Sequence, residues 1–485
     1  MKPIIYLTGL TTFVLAATVS ADVTVTLTGA TAFRSAALNT IKAKFAAGNG
    51  TVSYKYAHDA AAGSFTGSTR SLWIGNFPGI TGTTTIRCCF TGSVEGIRAV
   101  SQVPGILAGQ DSAAPTYYDS SILGSTTASA AGTELASAGS TAAALTTTSD
   151  IAFSDVNKTS TPYASASLGT DTAGVIVFTM MANEGSVINN VTSQQYRALL
   201  TQGYQPLSLF TGNVADSTLV FPIGRNDGSG TRTTALAETG YGITKTVNQY
   251  VTASTSGNTI TSLKLVPVGG ATASSVWGQD VDGNGGYESG GKVVAPMGLT
   301  TASVQVFGSD GTTVLLPAAH VDLVTWLGVG DASTAKNNGA VVCAYNGVSL
   351  DLGNITTSTK NATTMTVGTR YTILTTGSTD YTICGAANNA VGTVFTATAA
   401  GLGSGTVTMT SYTLSTSDIA KVQNGSYTAW GFERMFRTNT VTGDKLTVYN
   451  GILGTLPSNL GTAGIAISTM TVSRDTDGGV VFPIN

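Results

Sequence analysis

The sequence predicts an α/β fold. Three features carry that reading. Short β-periodic runs alternate with helix-periodic segments, turns rich in Gly, Ser and Thr join them, and apolar residues make up 42% of the chain, too many for disorder. Alternation of this kind argues for mainly parallel sheets with helices packed on their faces.

The elements follow in order. Val23 to Leu27 alternates Val and Thr as a strand, then passes through Thr28-Gly29-Ala30-Thr31-Ala32-Phe33 into a helix marked by Ala36, Ala37, Leu38, Ile41, Ala43 and Phe45. Strand, small-residue turn and helix make half of a βαβ unit. The order repeats with a strand over Thr84 to Phe90, the turn Gly92-Ser93-Val94-Glu95-Gly96 and a helix from Ile97. Gly109 to Ser149 is mostly small residues and reads as an exposed loop with one short helix. Ile151-Ala152-Phe153 is a third strand ending at Ser154-Asp155, and Val175 to Met180 is apolar throughout, as in a buried strand. A helix is expected over Thr192 to Leu200 with Ser193 as its cap. The strand Leu219 to Ile223 feeds Gly224-Arg225-Asn226-Asp227-Gly228-Ser229-Gly230-Thr231-Arg232, with a helix from near Thr233. Residues 354–412 leave this rhythm. Strands at Tyr371–Leu374, Tyr381–Ile383, Val394–Ala397 and Thr406–Met409, separated by Gly and Asn, read as a small all-β module.

The ends and the composition bound the function. Residues 1–21 carry one charge, Lys2, before an apolar stretch and the small residues of Val19-Ser20-Ala21, which reads as a cleaved secretory signal with the mature chain starting near Asp22. A periplasmic or extracellular location follows, and no later stretch is long and apolar enough to embed the chain in a membrane. About 460 mature residues suit two or three domains. Without Lys2, 22 basic residues face 26 acidic ones, far from the basic stripe of a nucleic-acid partner. The four cysteines make no disulfide framework in so long a chain, and adjacent Cys88 and Cys89 could bond each other only under strain. Only two histidines are present, His58 and His320, and neither lies in a metal-ligand pattern. The chain is read as a binding protein and not an enzyme, with no cofactor; a secreted phosphatase or similar hydrolase is the enzymatic rival.

Four loops share one design: each follows a strand, is rich in Gly, Ser or Thr, and opens a helix or second strand. Ligands of open α/β sheets sit beyond the carboxyl ends of the strands, where helix N-termini offer free N–H groups to an anion. The bland alternative for each loop is a helix cap. In the fourth, Gly228 and Gly230 let backbone approach an anion, Ser229 and Thr231 add hydroxyl donors, and Arg225 offers a planar two-pronged cation. Asp227 could hold Arg225 in place, or the two could be a plain ion pair at a turn.

Arg225 through Thr231 resembles the Arg-x-Asp-Gly-Ser-Gly-Thr signature of the periplasmic phosphate-binding proteins, the substrate-binding subunits of phosphate ABC transporters. Other segments are similar to that family in order: Thr28 to Phe33 to its first phosphate loop, one residue shorter than Gly-Ala-Gly-Ala-Thr-Phe; Thr91-Gly92-Ser93 to its second; and Ser154-Asp155 to a step whose carboxylate accepts a proton from the ligand. Trp326 to Ala332 resembles the strand and turn that return the chain to the first lobe, and Asn424 to Tyr427 with Trp430-Gly431-Phe432 the family's close. Residues 366–397 resemble a β-module of phage virion proteins inserted into that closing part.

The resemblance implies a two-lobed periplasmic-binding-protein fold with a hinge and a small all-β insertion: lobe 1 from 22–173 and 323–485, lobe 2 from 174–322, and the inserted module at 354–412. It implies capture of inorganic phosphate or a similar oxyanion by Thr31, Phe33, Ser93, Asp155, Arg225, Asp227, Ser229, Gly230 and Thr231, for uptake through an ABC permease. The alternative is a surface or structural protein that keeps this fold without transport, which the low charge, Glu95 beside the second loop and the β-module favour. Asp280, Asp282 and Asn284 open a calcium-like loop, but Gly291 stands where the closing Glu belongs; Glu288 could substitute, and a plain Asp/Gly turn is the alternative.

Overall fold

The computed structural model describes residues 22–47, 54–59, 65–101, 115–123, 133–135, 142–266, 283, 285–461 and 464–484. The expected leader 1–21 and the calcium-loop residues Asp280, Asp282 and Asn284 lie outside them.

The first half-unit forms as its periodicity predicts, with β1 at Val23–Gly29 and α1 at Arg34–Ala46. Two strands without a place in the sequence reading follow, β2 (Tyr54–His58) and β3 (Arg70–Asn76), then β4 (Thr83–Cys89). Their aromatic residues explain them: Tyr56 stacks on Trp73 at 4.3 Å between centroids, with Phe45 of α1 and Phe65 closing the cluster. Helix α2 spans Ser93–Ser101, so it starts at the turn itself and not at Ile97. It lies so close to β1 that a Cβ at Gly96 would stand 2.6 Å from the Gly29 Cα, a contact only glycine permits. In 109–149 the described parts are short strands, Thr116–Tyr118, Thr133–Leu135 and Ala144–Thr146, and a 3-10 turn at Ser120–Leu123.

Strand β5 is Ile151–Ser154, and β6 runs from Gly169 to Ala182, longer than its apolar run because its first residues pair at the sheet centre. Helix α3 is Ser193–Gln202, with Thr192 and not Ser193 as its cap; Thr192 and Gln195 form a reciprocal capping box. Strand β7 (Leu219–Pro222) leads to α4 (Gly230–Glu238), which Ser229 caps three residues before the expected start. The strand β8 (Val321–Gly328) runs directly into α5 (Val329–Asn337), and β9 (Trp430–Arg437) leads to α6 (Gly443–Thr455).

One 13-stranded sheet joins these elements, in the order β7-β8-β6-β9-β5-β1-β4-β3-β2 over its main span. The pairs β1–β4, β1–β5 and β7–β8 are parallel, whereas β6 runs antiparallel to both β8 and β9. The sheet is therefore mixed, because β6 and β9 cross its middle in opposite directions.

The cores divide there. Residues of β1 to β5, α1 and α6 fill one apolar cluster, and those between Val175 and Leu352, with Val422 to Trp430 and Ile465 to Val472, fill another. Strand β8 and helix α5 belong to the second cluster, so the change of core falls at β6 and at β9, not at 322/323. The segment Trp326 to Ala332 thus stays in the second lobe. A separate four-stranded sheet (Tyr250–Ser256, Thr259–Leu265, Val304–Phe307 and Val314–Ala319) extends that lobe.

Residues 354–413 do form a separate four-stranded antiparallel sheet with its own core around Tyr371, Tyr381, Phe395 and Val407. Its strands are Asn354–Asn361, Arg370–Thr375, Val394–Thr396 and Thr406–Thr413. The Tyr381–Ile383 run is instead a 3-10 turn at Thr382–Cys384, started by Asp380 accepting from Thr382. The first strand escaped detection because Asn354 to Asn361 is polar and mostly exposed, and pairs only along one edge. The module docks on α5 and beside it: Arg370 pairs with Glu184 at 2.8 Å, Asn338 holds the Arg370 and Gly368 backbone, and the Ser333 hydroxyl accepts from the Tyr412 amide.

The tail also returns across the second lobe. Val472–Ser473 pairs with Phe482–Pro483, which places Asp475 to Gly479 in a hairpin turn. Buried Arg474 pairs with Glu238 of α4 at 2.8 Å and lies 4.2 Å over the Trp430 ring, while Asp477 pairs with Arg434 of β9 at 3.2 Å. All four cysteines are free and buried.

Candidate oxyanion-binding site

Two helix N-termini, those of α2 and α4, meet where the lobes touch, each following a strand and its turn. Helix α2 and the residue after β5 come from the first lobe, and α4 from the second. They touch directly. The Gly228 carbonyl accepts from the Val94 and Glu95 amides at 3.1 and 3.3 Å, so the second lobe caps α2 of the first. Gly230 sits where any side chain would overlap the Asp155 carboxylate and approach the Ser93 Cβ to 2.6 Å. Ser93, Asp155 and the head of α4 therefore share one place, although more than 60 residues separate each from the next in the chain.

Asp155 is 1% exposed, and neither of its oxygens makes a well-formed hydrogen bond, although the Ser93 hydroxyl lies close enough to favour its charged form. Burial pushes its carboxyl from 3.8 up to about 6, while Ser93 and the charge of Arg225 pull the other way. Arg225 is also buried and is lowered to about 10 by that burial, with Asp331 and Asp155 opposing. Its guanidinium is aimed by two backbone carbonyls, Tyr287 accepting from Nε at 3.1 Å and Glu288 from Nη2 at 3.0 Å. Segment 287–288 thus supplies the support expected of Asp227. The charge facing Asp227 is that of Arg232, four residues beyond the turn and lowered to about 10 chiefly by burial. Asp227 and Arg232 are both buried and belong to the scaffold beneath the loop.

The remaining sequence-predicted residues divide. The Ser229 hydroxyl accepts from the Arg232 amide and caps α4, which leaves its proton to donate outward. Thr231 is buried in the first turn of α4. The Phe33 ring is fully buried in the first-lobe core against Phe153 at 5.7 Å. Thr31 lies apart from the Ser93–Asp155–Gly230 contact. It lines a cavity of about 190 Å³ with Arg34, Ser35, Gly330 and Asp331. Glu95 is drawn sideways by Arg98 of its own helix, at 2.6 Å, with its Cγ stem packed beside Gly228.

Three residues were missed by sequence reasoning. Arg34, one step beyond Phe33, has a buried Nε without a partner, and Asp331 in the first turn of α5 acts electrostatically on both Arg34 and Arg225. The second buried carboxyl beside Asp155 was also missed. Glu433 of β9 is 0% exposed, neither oxygen has a partner, and burial first and Asp155 second hold it well above the usual carboxylate range. The pairing of Arg434 with Ser154 sets Glu433 opposite Asp155. The arrangement offers an anion one fixed cation, hydroxyl and amide donors, and an acceptor suited to a proton-bearing ligand.

Neither histidine is at this place: His58 lies in the β2 aromatic cluster and His320 is exposed. Among the described residues no group of three or more His, Cys, Asp or Glu could hold a metal, and no helix is long and apolar enough to cross a membrane.

No protein-family model and no curated protein matches the chain. Solved structures are similar to it. A phosphate ABC transporter substrate-binding protein with bound phosphate from Clostridium perfringens aligns over 91% of this chain and 98% of that one, at 8% identity and a TM-score of 0.42. PstS from Borrelia burgdorferi aligns over 91% and 98%, at 9% identity and 0.35. A phosphate-binding protein from Stenotrophomonas maltophilia aligns over 95% and 87%, at 12% identity and 0.31. These are likenesses of chain arrangement and assign no ligand to this protein.

Proposed function

We propose that this chain is an exported solute-binding protein that captures an oxyanion, inorganic phosphate or a close analogue, between its lobes and releases it unchanged to an ABC-type permease. The observation that carries the reading is Asp155. A buried carboxylate with neither oxygen in a well-formed hydrogen bond is costly unless something supplies a proton or a donor, and this one faces Arg225, Ser93 and the head of α4. Hydrogen phosphate brings a donor hydrogen to Asp155 and anionic oxygens to Arg225 and the hydroxyls. Fully ionised sulfate would set a bare oxygen against the carboxylate. Exchanging this carboxyl tests the reading: Asp155→Asn should lose the preference for phosphate over sulfate, and an unchanged preference would refute the role.

One observation favours the alternative, a surface protein that keeps the fold without transport. The α2 amides already donate to the Gly228 carbonyl, so an anion at that helix must displace a protein contact. Opening of the cleft before capture resolves this on the first reading. Small-angle scattering that shows one compact shape with and without phosphate, in protein that gives no heat with phosphate, would favour the second.

A further inference from the structure

The cavity beside Arg34 has no part in holding a phosphate group at the Ser93–Asp155–Gly230 contact. None of those three residues lines it. It spans the cleft: Thr31, Arg34 and Ser35 come from the head of α1, Gly330 and Asp331 from the head of α5, and Ile176 from the crossing strand β6. Its about 190 Å³ is the share of about six waters. Both helices that border it start without a side-chain cap, at Phe33 and Gly328, whereas α4 has Ser229 and α2 has the Gly228 carbonyl. The Arg34 Nε is buried and unpartnered. Donors therefore come from Arg34, uncapped amides and hydroxyls, and a carboxylate acceptor comes from Asp331. A second bare anion would face Asp331 at close quarters. Hydroxyl groups, which donate and accept at once, satisfy both sides. Arg225 links the two places: its Nη2 donates to the Glu288 carbonyl at 3.0 Å, and two residues further on the Asp331 carboxylate packs so tightly on Gly290 that no side chain would fit there.

Resting on the oxyanion reading above, we infer that the ligand is a phosphate monoester of a small polyol, with its phosphate held at Arg225 as the monoanion, whose one proton is donated to Asp155, and its hydroxylated carbons in the Arg34–Asp331 cavity. A three-carbon polyol with its oxygens has about six non-hydrogen atoms, matching the space. Ile176 meets the carbon skeleton, Asp331 accepts from the hydroxyls, and Arg34 donates to them.

The test is calorimetric titration of ligand-stripped full-length mature protein with glycerol 3-phosphate and with inorganic phosphate, repeated for Asp331→Asn and Arg34→Gln. The inference predicts that the wild type binds the monoester at least tenfold more tightly, and that each variant brings the ratio close to one. Inorganic phosphate bound as tightly as the monoester, or a monoester preference untouched by both variants, overturns it while leaving oxyanion capture intact. No binding of either compound by folded protein overturns capture itself, and this inference with it.

Discussion

Asp155→Asn should change the pH dependence of stability in a calculable way. The folded carboxyl takes its proton at about 6, against 3.8 for an ordinary one, so between these values the folded state binds more protons than the unfolded chain. Stability from this group is undiminished below pH 3.8 and falls as pH rises, reaching its full loss above about 6. The difference corresponds to about 3 kcal/mol. Asn has the same shape and no charge to bury. The variant without ligand should match the wild type near pH 4 and exceed it by up to about 3 kcal/mol at pH 7.5. Glu433 is present in both proteins and largely cancels, apart from its coupling to Asp155. Urea denaturation from pH 4 to 8 in phosphate-free buffer measures the difference. A flat difference, or a variant less stable than wild type at pH 7.5, would refute the view that Asp155 is a buried and unsatisfied charge.

Three further outcomes follow from particular contacts. Gly230→Ala places a methyl group into Asp155 and Ser93, so it should abolish oxyanion binding while near-native circular dichroism is retained; retained affinity would mean that these residues do not converge in solution. Arg474→Ala leaves Glu238 buried without its 2.8 Å partner and should cost about 3–5 kcal/mol in denaturant titration, and a loss below about 1 would show the tail to be loosely held. Arg370→Ala breaks the bridge to Glu184, its side chains 21% and 24% exposed, that helps dock the β-module, so stability should fall by no more than about 1 kcal/mol with oxyanion affinity unchanged.

The sequence made the βα rhythm legible because β1, β4, β5 and β7 each carry a short apolar run ending in small polar residues. The same signal marked the helix heads at Ser93 and Gly230, since a strand-ending Gly/Ser/Thr turn points to a helix N-terminus. It could not show how the chain is shared between lobes. Whether β8 and α5 pack with the first or second core depends on pairing with β6, more than 130 residues earlier, and no local pattern encodes that partner. Strands β2 and β3 were missed because Tyr54, Tyr56 and Trp73 signal a core only once they stack. The partner of Asp227 was misread for a related reason: proximity in sequence favours Arg225, while the turn at Gly228 swings Arg232 beneath the loop and hands Arg225 to the carbonyls of Tyr287 and Glu288. Arg34 had no motif, and Asp331 stood in the Trp326–Ala332 turn, which was read for the path of the chain alone. They are ordinary first-turn residues, and only lobe closure brings them to one cavity.

Calorimetric titration of the purified mature chain at pH 7, stripped of bound ligand, tests the central claim most directly, with phosphate and sulfate as titrants and Arg225→Ala as the control. The account predicts one-to-one binding of phosphate, weaker or no binding of sulfate, and loss of both in the variant. Neither heat nor thermal stabilisation with phosphate, in wild-type protein whose circular dichroism shows it folded, would contradict it.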